Sequence, residues 1–306
     1  MTIYLKEEEL PFKEIVTDEE ERGLELMEVV VADIEAKNSS QFLKFQKLHL
    51  KSQQSIEHLK RFRKKEESNE NVNNTSLKIL TGILCSLEDY SLEFISQKIE
   101  EEKTDFTNIY LIKVPKYAPL NRKQFDESRV VWPINYHENP TRTIKFTQQQ
   151  VDFICKIMKK VMDNGPHTIS NKCCQRAIIV DPKLDKVLTD NIDTTRYFGH
   201  PLKHSIMNAI DSISQQEQSR RKENNKRKGI DSEIEINYLC QNLDFYLISE
   251  PCVMCSMALT HSRVRYVFFK YRNETIGALG SKVKIHNFKG LNHHYRVFVG
   301  NFELNK

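Results

Sequence analysis

Two cysteines set three positions apart, in Pro251-Cys252-Val253-Met254-Cys255, are the residues best suited to chemistry. They follow Asp244 to Ser249, which reads as a strand, and they open Cys252 to Ser262, which reads as a helix. Residues i and i+3 share a helix face, so both sulfurs leave the first turn on the same side. The positive end of the helix favours the anionic thiolate. Such a pair clamps a zinc ion, and zinc usually takes a third protein ligand. His204 is placed to supply it from the start of the preceding helix. A His-Cys-Cys set leaves one position open, the pattern of a catalytic-type site rather than a closed structural one, with one zinc per chain. The competing reading is a pair of buried structural cysteines, and the order strand, Pro-Cys-x-x-Cys, helix, strand weighs against it.

Composition sets the frame for these residues. The chain has 306 residues, 39% hydrophobic and 29% charged, enough apolar material for a buried core of one large domain or two ordinary ones. A net charge of +4 permits a polyanion partner without demanding one. Seven cysteines, an odd number, show no disulfide framework. Met1 to Leu10 carries Lys6, Glu7, Glu8 and Glu9 and reads as no secretory signal. No apolar run reaches the roughly 18 residues that span a bilayer. The expectation is a soluble protein of a reducing compartment, without a membrane, where paired cysteines more often bind metal.

The elements that must hold the site fall into two groups. In the first half, Val29 to Ile34, Leu77 to Leu84 and Asn108 to Val114 read as strands, and Ser40 to Leu50 and Leu87 to Glu100 as helices. Glu66 to Asn71 reads as a polar insert. The order β-α-β-α-β predicts a smaller N-terminal α/β domain over residues 1–114. Residues 115–145, with Pro115, Pro119, Pro133, Pro140 and the aromatics Tyr117, Phe125, Trp132 and Tyr136, read as a docked connection. A helix then starts at Thr147, with Val151, Ile154, Met158 and Val161 on one stripe and a stop at Asn164-Gly165-Pro166. Ala177 to Val180 and Lys186 to Thr189 read as a hairpin, and a helix begins near His204. The charged stretch 215–229 reads as a loop. Val264 to Phe269 and Tyr295 to Val299 read as the last strands.

Glu250-Pro251-Cys252-Val253-Met254-Cys255-Ser256-Met257-Ala258-Leu259, followed by His261-Ser262-Arg263-Val264, resembles the zinc-dependent nucleobase deaminases, and among them the tRNA adenosine deaminases. The resemblance implies the cytidine deaminase fold over residues 146–306: a three-layer α/β/α domain with a mixed five-stranded sheet. In that family the metal-ligating histidine belongs to His-x-Glu, and the glutamate moves protons during deamination. Here the motif is His204-Ser205-Ile206, and His200-Pro201-Leu202 has no glutamate either. Isoleucine cannot titrate, and proton transfer by a placed side chain is worth about 10²–10⁴ in rate. In the family the residue before the Pro-Cys-x-x-Cys proline, here Glu250, does not serve as the acid/base.

A deaminase domain with an aliphatic residue in place of glutamate resembles the non-catalytic subunits of the eukaryotic heterodimeric tRNA adenosine deaminases. Val114 to Leu120, Gln124-Phe125, Trp132-Pro133 and Gly290 to Phe298 carry the same resemblance. It implies a catalytic deaminase subunit as partner, tRNA as the bound nucleic acid, and wobble adenosine-to-inosine editing by the pair. It also implies an N-terminal tRNA-binding domain and a place in the nucleus and cytoplasm. The alternative is an active deaminase that draws a carboxylate from elsewhere, such as Asp211 or Glu303. A further rival is a structural zinc module with no RNA role.

Two cationic clusters are candidate RNA contacts: Lys60, Arg61, Arg63, Lys64 and Lys65, and Arg220, Arg221, Lys222, Lys226, Arg227 and Lys228. The second reads equally as a nuclear localisation signal, and both as solvated charge runs. Tyr110, Tyr117 and Phe125 are candidates for stacking on bases or for core packing.

Overall fold

The computed structural model describes residues 4–50, 54–64, 79–102, 104–138, 142, 144–163, 175–195, 199–227 and 239–303. The polar insert at 66–71, the helix stop at 164–166, Lys65 and Lys228 lie outside the described residues. In chain order the main elements are β1 (Phe12–Glu14), α1 (Asp18–Glu21), β2 (Leu26–Glu35), α2 (Ser39–His49), β3 (Phe62–Lys64), β4 (Ile79–Ser86), α3 (Leu92–Glu102) and β5 (Thr107–Pro115). They continue with α4 (Arg122–Val131), α5 (Gln148–Asp163), β6 (Arg176–Asp181), β7 (Lys186–Ile192) and α6 (Ser205–Arg227). The last are β8 (Asp244–Ser249), α7 (Val253–His261), β9 (Tyr266–Tyr271) and β10 (Arg296–Gly300). Among the described residues no helix is long and apolar enough to cross a membrane.

The chain forms two compact units, Met1–Thr17 with Ile144–Lys306, and Asp18–Thr143. The first is a three-layer α/β/α unit around a sheet of order β1-β10-β9-β8-β6-β7. The β6–β7 hairpin and the β6–β8 pair are antiparallel, whereas β8, β9 and β10 run parallel. Strand side chains alternate between faces. Ile178, Val180, Tyr246, Phe268 and Phe298 pack with α5 residues such as Ile154 and Met158. Ala177, Ile179, Phe245, Leu247, Val267 and Phe269 pack with Ile206 and Ala209 of α6 and Cys255 and Leu259 of α7. The α5 start is a capping box: the Gln150 N–H donates to Thr147 Oγ1 (3.3 Å), and the Thr147 N–H to Gln150 Oε1 (3.0 Å).

The mixed sheet has six strands rather than the expected five. The addition is β1, antiparallel on β10, so residues 1–17 belong with the C-terminal unit and not with an N-terminal domain over 1–114. Burial explains why. The Phe12 ring meets Phe146, Phe268, Phe298 and Phe302 at centroid distances of 5.3–5.6 Å. Ile15 is buried on the opposite face. Gly300 makes the close pairing possible, because a Cβ there would overlap Pro11 and Phe12.

The second unit is an antiparallel sheet of order β3-β4-β2-β5. Val30, Ala32, Ile34 and Leu84 pack on one face with Phe42, Phe45, Ile95 and Ile99 of α2 and α3. Val29, Val31, Ile83 and Val114 pack on the other with Trp132 and Ile134. The expected connection at 115–145 therefore does not stand apart. Up to Thr143 it groups with the second unit, and it contains α4, whose start Asn121 caps by accepting from the Gln124 N–H (2.8 Å). The Trp132 indole donates to the Lys60 carbonyl (2.8 Å) and fixes its end.

The expected loop at 215–229 is largely helix, since α6 runs on to Arg227. No glycine or proline interrupts Ser205 to Arg227, and Gln, Glu, Arg and Lys are good helix formers despite their polarity. Arg220 also pairs with Glu217 one turn earlier (2.8 Å).

Candidate metal centre

The sheet delivers its ligands from two helix ends on one face. His204 immediately precedes α6, and its carbonyl accepts the Asn208 N–H (2.9 Å), the first turn of that helix. Cys252 is the cap of α7, with an extended backbone (φ −74°, ψ 171°), and Cys255 lies one turn along. The β8-α7-β9 crossover places that helix start at the carboxyl end of β8, where open α/β sheets bind ligands. His204 Nδ1 lies 3.4 Å from Cys255 Sγ and 3.6 Å from Cys252 Sγ. All three ligand atoms lie within 4.8 Å of one another. A nitrogen at about 2.05 Å and a sulfur at about 2.3 Å from a tetrahedral zinc stand about 3.6 Å apart, so the set fits that ion. Among the described residues no other group of three or more His, Cys, Asp or Glu ligand atoms converges in this way.

Three cysteines outside the ligand set are buried thiols. Burial pushes the Cys240 and Cys85 thiols up to about 12 and Cys155 up to about 11, which keeps them protonated and inert. Of the ligand pair, Cys252 is part-buried at the helix start and Cys255 is buried. Below α7, the Tyr295 hydroxyl donates to the Ser256 carbonyl (3.1 Å), and burial holds it well above the usual tyrosine range.

The side chain two residues after His204 is Ile206, fully buried in the same apolar cluster as Cys255 and Leu259. It offers no proton. Asp211 lies two turns along α6, exposed, facing Lys203 (3.5 Å) and accepting from Gln215. Glu303 is exposed and pairs with Lys270 (3.6 Å), and its neighbour Phe302 packs in the cluster on the α5 face of the sheet. Neither carboxylate joins the ligand group. His200 is exposed, and its Nδ1 accepts from the Leu202 N–H (3.3 Å).

Glu250 is the residue that sequence reasoning undervalued. It is fully buried, and its carboxylate accepts from the backbone N–H groups of Asn273 (3.1 Å), Leu279 (2.8 Å) and Ser281 (2.9 Å) and from the Ser281 hydroxyl. The donors are backbone groups, which leave little trace in a sequence. Gly277 is the one signal, because a Cβ there would overlap the carboxylate.

The cationic residues belong to other elements. Lys60, Arg61, Arg63 and Lys64 sit on or just before the edge strand β3. Arg61 donates to Gln46 Oε1 (3.0 Å) and Arg63 to the Val131 carbonyl (3.3 Å). Arg220, Arg221, Lys222, Lys226 and Arg227 lie on α6, Arg220 paired with Glu217 and Lys222 exposed. Tyr110 and Phe125 pack in the core, whereas the half-exposed Tyr117 ring lies 3.5 Å below the Arg22 guanidinium.

Comparison with known proteins follows the same division. The family described as "tRNA-specific adenosine deaminase TAD3 N-terminal domain" matches residues 27–132, inside the second unit. The Schizosaccharomyces pombe protein "tRNA-specific adenosine deaminase subunit tad3" is 31% identical over 293 residues, covering 95% of this chain and 89% of that one. The Saccharomyces cerevisiae protein "tRNA-specific adenosine deaminase subunit TAD3" is 30% identical over 264 residues, 80% of this chain and 74% of that one. The Danio rerio protein "Probable inactive tRNA-specific adenosine deaminase-like protein 3" is 32% identical over 213 residues, 62% of this chain and 61% of that one.

Proposed function

Because the chain belongs to the family of tRNA-specific adenosine deaminase subunits that includes tad3 of Schizosaccharomyces pombe, we propose that it is the non-catalytic half of a heterodimeric enzyme that converts the wobble adenosine of tRNA to inosine. One observation carries the reading: the ligand triad His204, Cys252 and Cys255 is assembled, while the position two residues beyond the histidine holds a buried isoleucine. His204, Cys252 and Cys255 hold one zinc per chain. When bound, zinc supplies Lewis-acid activation of water. The proton must still be moved to the base, and among the described residues no carboxylate joins the ligand group to take it.

What this chain contributes is then a scaffold. A partner carrying the glutamate does the chemistry, and a base must be extruded into the partner's pocket. Most affinity for a folded tRNA must come from surfaces outside that pocket, and the second unit, with Lys60, Arg61, Arg63 and Lys64, is assigned that task. The α6 cations add a second contact or a nuclear address, consistent with work in nucleus and cytoplasm.

Co-purification from the native host, with identification of the bound chain and an inosine assay on its tRNA, tests the proposal. The expected result is a deaminase with an intact His-x-Glu motif in one-to-one ratio. Recovery of a chain without such a partner, bound to no tRNA, contradicts it. Ile206→Glu in the isolated chain is expected to give no turnover, because the new carboxylate enters an apolar cluster and not a base pocket.

A further inference from the structure

A buried carboxylate two residues before a metal ligand calls for an account. Glu250 is fully buried, and the four hydrogen bonds that its carboxylate accepts all come from one segment, residues 273–281. The two carboxylate oxygens have enough lone pairs to accept all four. Gly277 closes the segment tightly enough to exclude any Cβ. The clasp then reaches the metal strand itself. The Ala278 N–H donates to the Pro251 carbonyl (2.9 Å), and the Glu250 N–H donates to the Tyr271 carbonyl (2.8 Å). The tripeptide 250–252 is held on both sides, and the extended backbone of Cys252 that aims its sulfur is its last residue.

We infer that Glu250 is a positioning residue for the metal centre: it folds segment 273–281 into a clasp that fixes Pro251 and orients the Cys252 thiolate. This rests on the reading of His204, Cys252 and Cys255 as zinc ligands. Partners that orient ligands typically change metal affinity 10- to 100-fold when removed.

The test uses the full chain, loaded with zinc and, in parallel, with cobalt(II), whose visible absorption reports tetrahedral sulfur ligation. Glu250→Gln keeps the shape but turns two hydrogens of its amide toward donors. It should speed zinc loss to a chelator by 10- to 100-fold and alter the cobalt spectrum, measured well below the unfolding temperature. Gly277→Ala leaves Glu250 intact and displaces its carboxylate, so it should reproduce the effect; it serves also if Glu250→Gln does not fold. Met158→Ala, on the α5 face of the sheet, is the control for general destabilisation and should leave the cobalt spectrum unchanged. If both clasp variants release zinc at the wild-type rate, or if Met158→Ala releases it as fast as they do, Glu250 is merely structural and the inference falls. If the wild-type chain itself binds neither metal, the ligand reading has failed instead.

Discussion

The ligand triad and the cationic cluster on β3 are built in opposite ways. His204, Cys252 and Cys255 come from two helix ends over a packed sheet, with fully buried neighbours on the inner side. Lys60, Arg61, Arg63 and Lys64 lie at a sheet edge, exposed and with long side chains, Arg61 held by Gln46 and Arg63 by the Val131 carbonyl. The first arrangement is preorganised: its geometry exists before anything binds, and losing one part loses the whole. The second is adaptable, so its members contribute separately and in small increments.

The sharpest way to break this contrast is Cys255→Ala. It is expected to take bound zinc from about one per chain to none by elemental analysis, and to lower the stability of the first unit, because metal binding is linked to folding. Well-folded wild-type protein without zinc would remove the basis of the comparison.

Next in size is Phe12→Ala. Its ring is the centre of an aromatic cluster, so the first unit should lose about 3–5 kcal/mol. Denaturant unfolding should show this loss while residues 18–143 keep their own transition. A loss confined to the 18–143 transition would mean that the N-terminal strand belongs there.

Acid provides the third test. Burial lowers His286 to about 4, with its Nε2–H donating to the Ile15 carbonyl (3.0 Å). The neutral form is the one buried, so its stabilising contribution is whole above pH 6.5 and is lost as pH falls from 6.5 toward 4. The full loss is about 3 kcal/mol. His286→Gln, whose amide can donate the same bond, should flatten that limb of a pH–stability curve; an unchanged limb would assign it to other groups.

The smallest effect belongs to the cationic edge. Replacing Lys64 with Ala should weaken tRNA binding about evenly across tRNAs and make the salt dependence shallower by about one unit of slope or less. A change in which tRNA is edited would mean that the cluster reads sequence.

The pattern of what the sequence disclosed follows the same physics. The grouping of Cys252, Cys255 and His204 was legible because a candidate ligand set demands residue types at helical spacing, and the α5 stripe because amphipathic burial has a period. β1 was not, since a three-residue strand, Phe-Lys-Glu, has no period to read; only Phe12 and the bare Gly300 opposite it betray the pairing. The last turns of α6 were hidden by polarity that signals solvent exposure as readily as a loop. Glu250 was read only as a residue that does not serve as the acid/base in the family; its structural part was hidden because its partners are mainly backbone N–H groups, which every residue but proline carries. The strand at β1 also changes how domain removal must be done: a chain starting near residue 141 lacks β1, so the second unit should be excised as 18–143 with residues 1–17 retained.

The central proposal is that this chain holds a metal at His204, Cys252 and Cys255 and that, among the described residues, no carboxylate joins them to move a proton. Inosine formation in tRNA by the homogeneous, zinc-loaded chain measures it most directly, run beside the same chain paired with its deaminase partner. The account predicts no inosine above the protein-free control from the chain alone and editing of the wobble adenosine by the pair. Repeated turnover by the chain alone, abolished by Cys252→Ala, would contradict it.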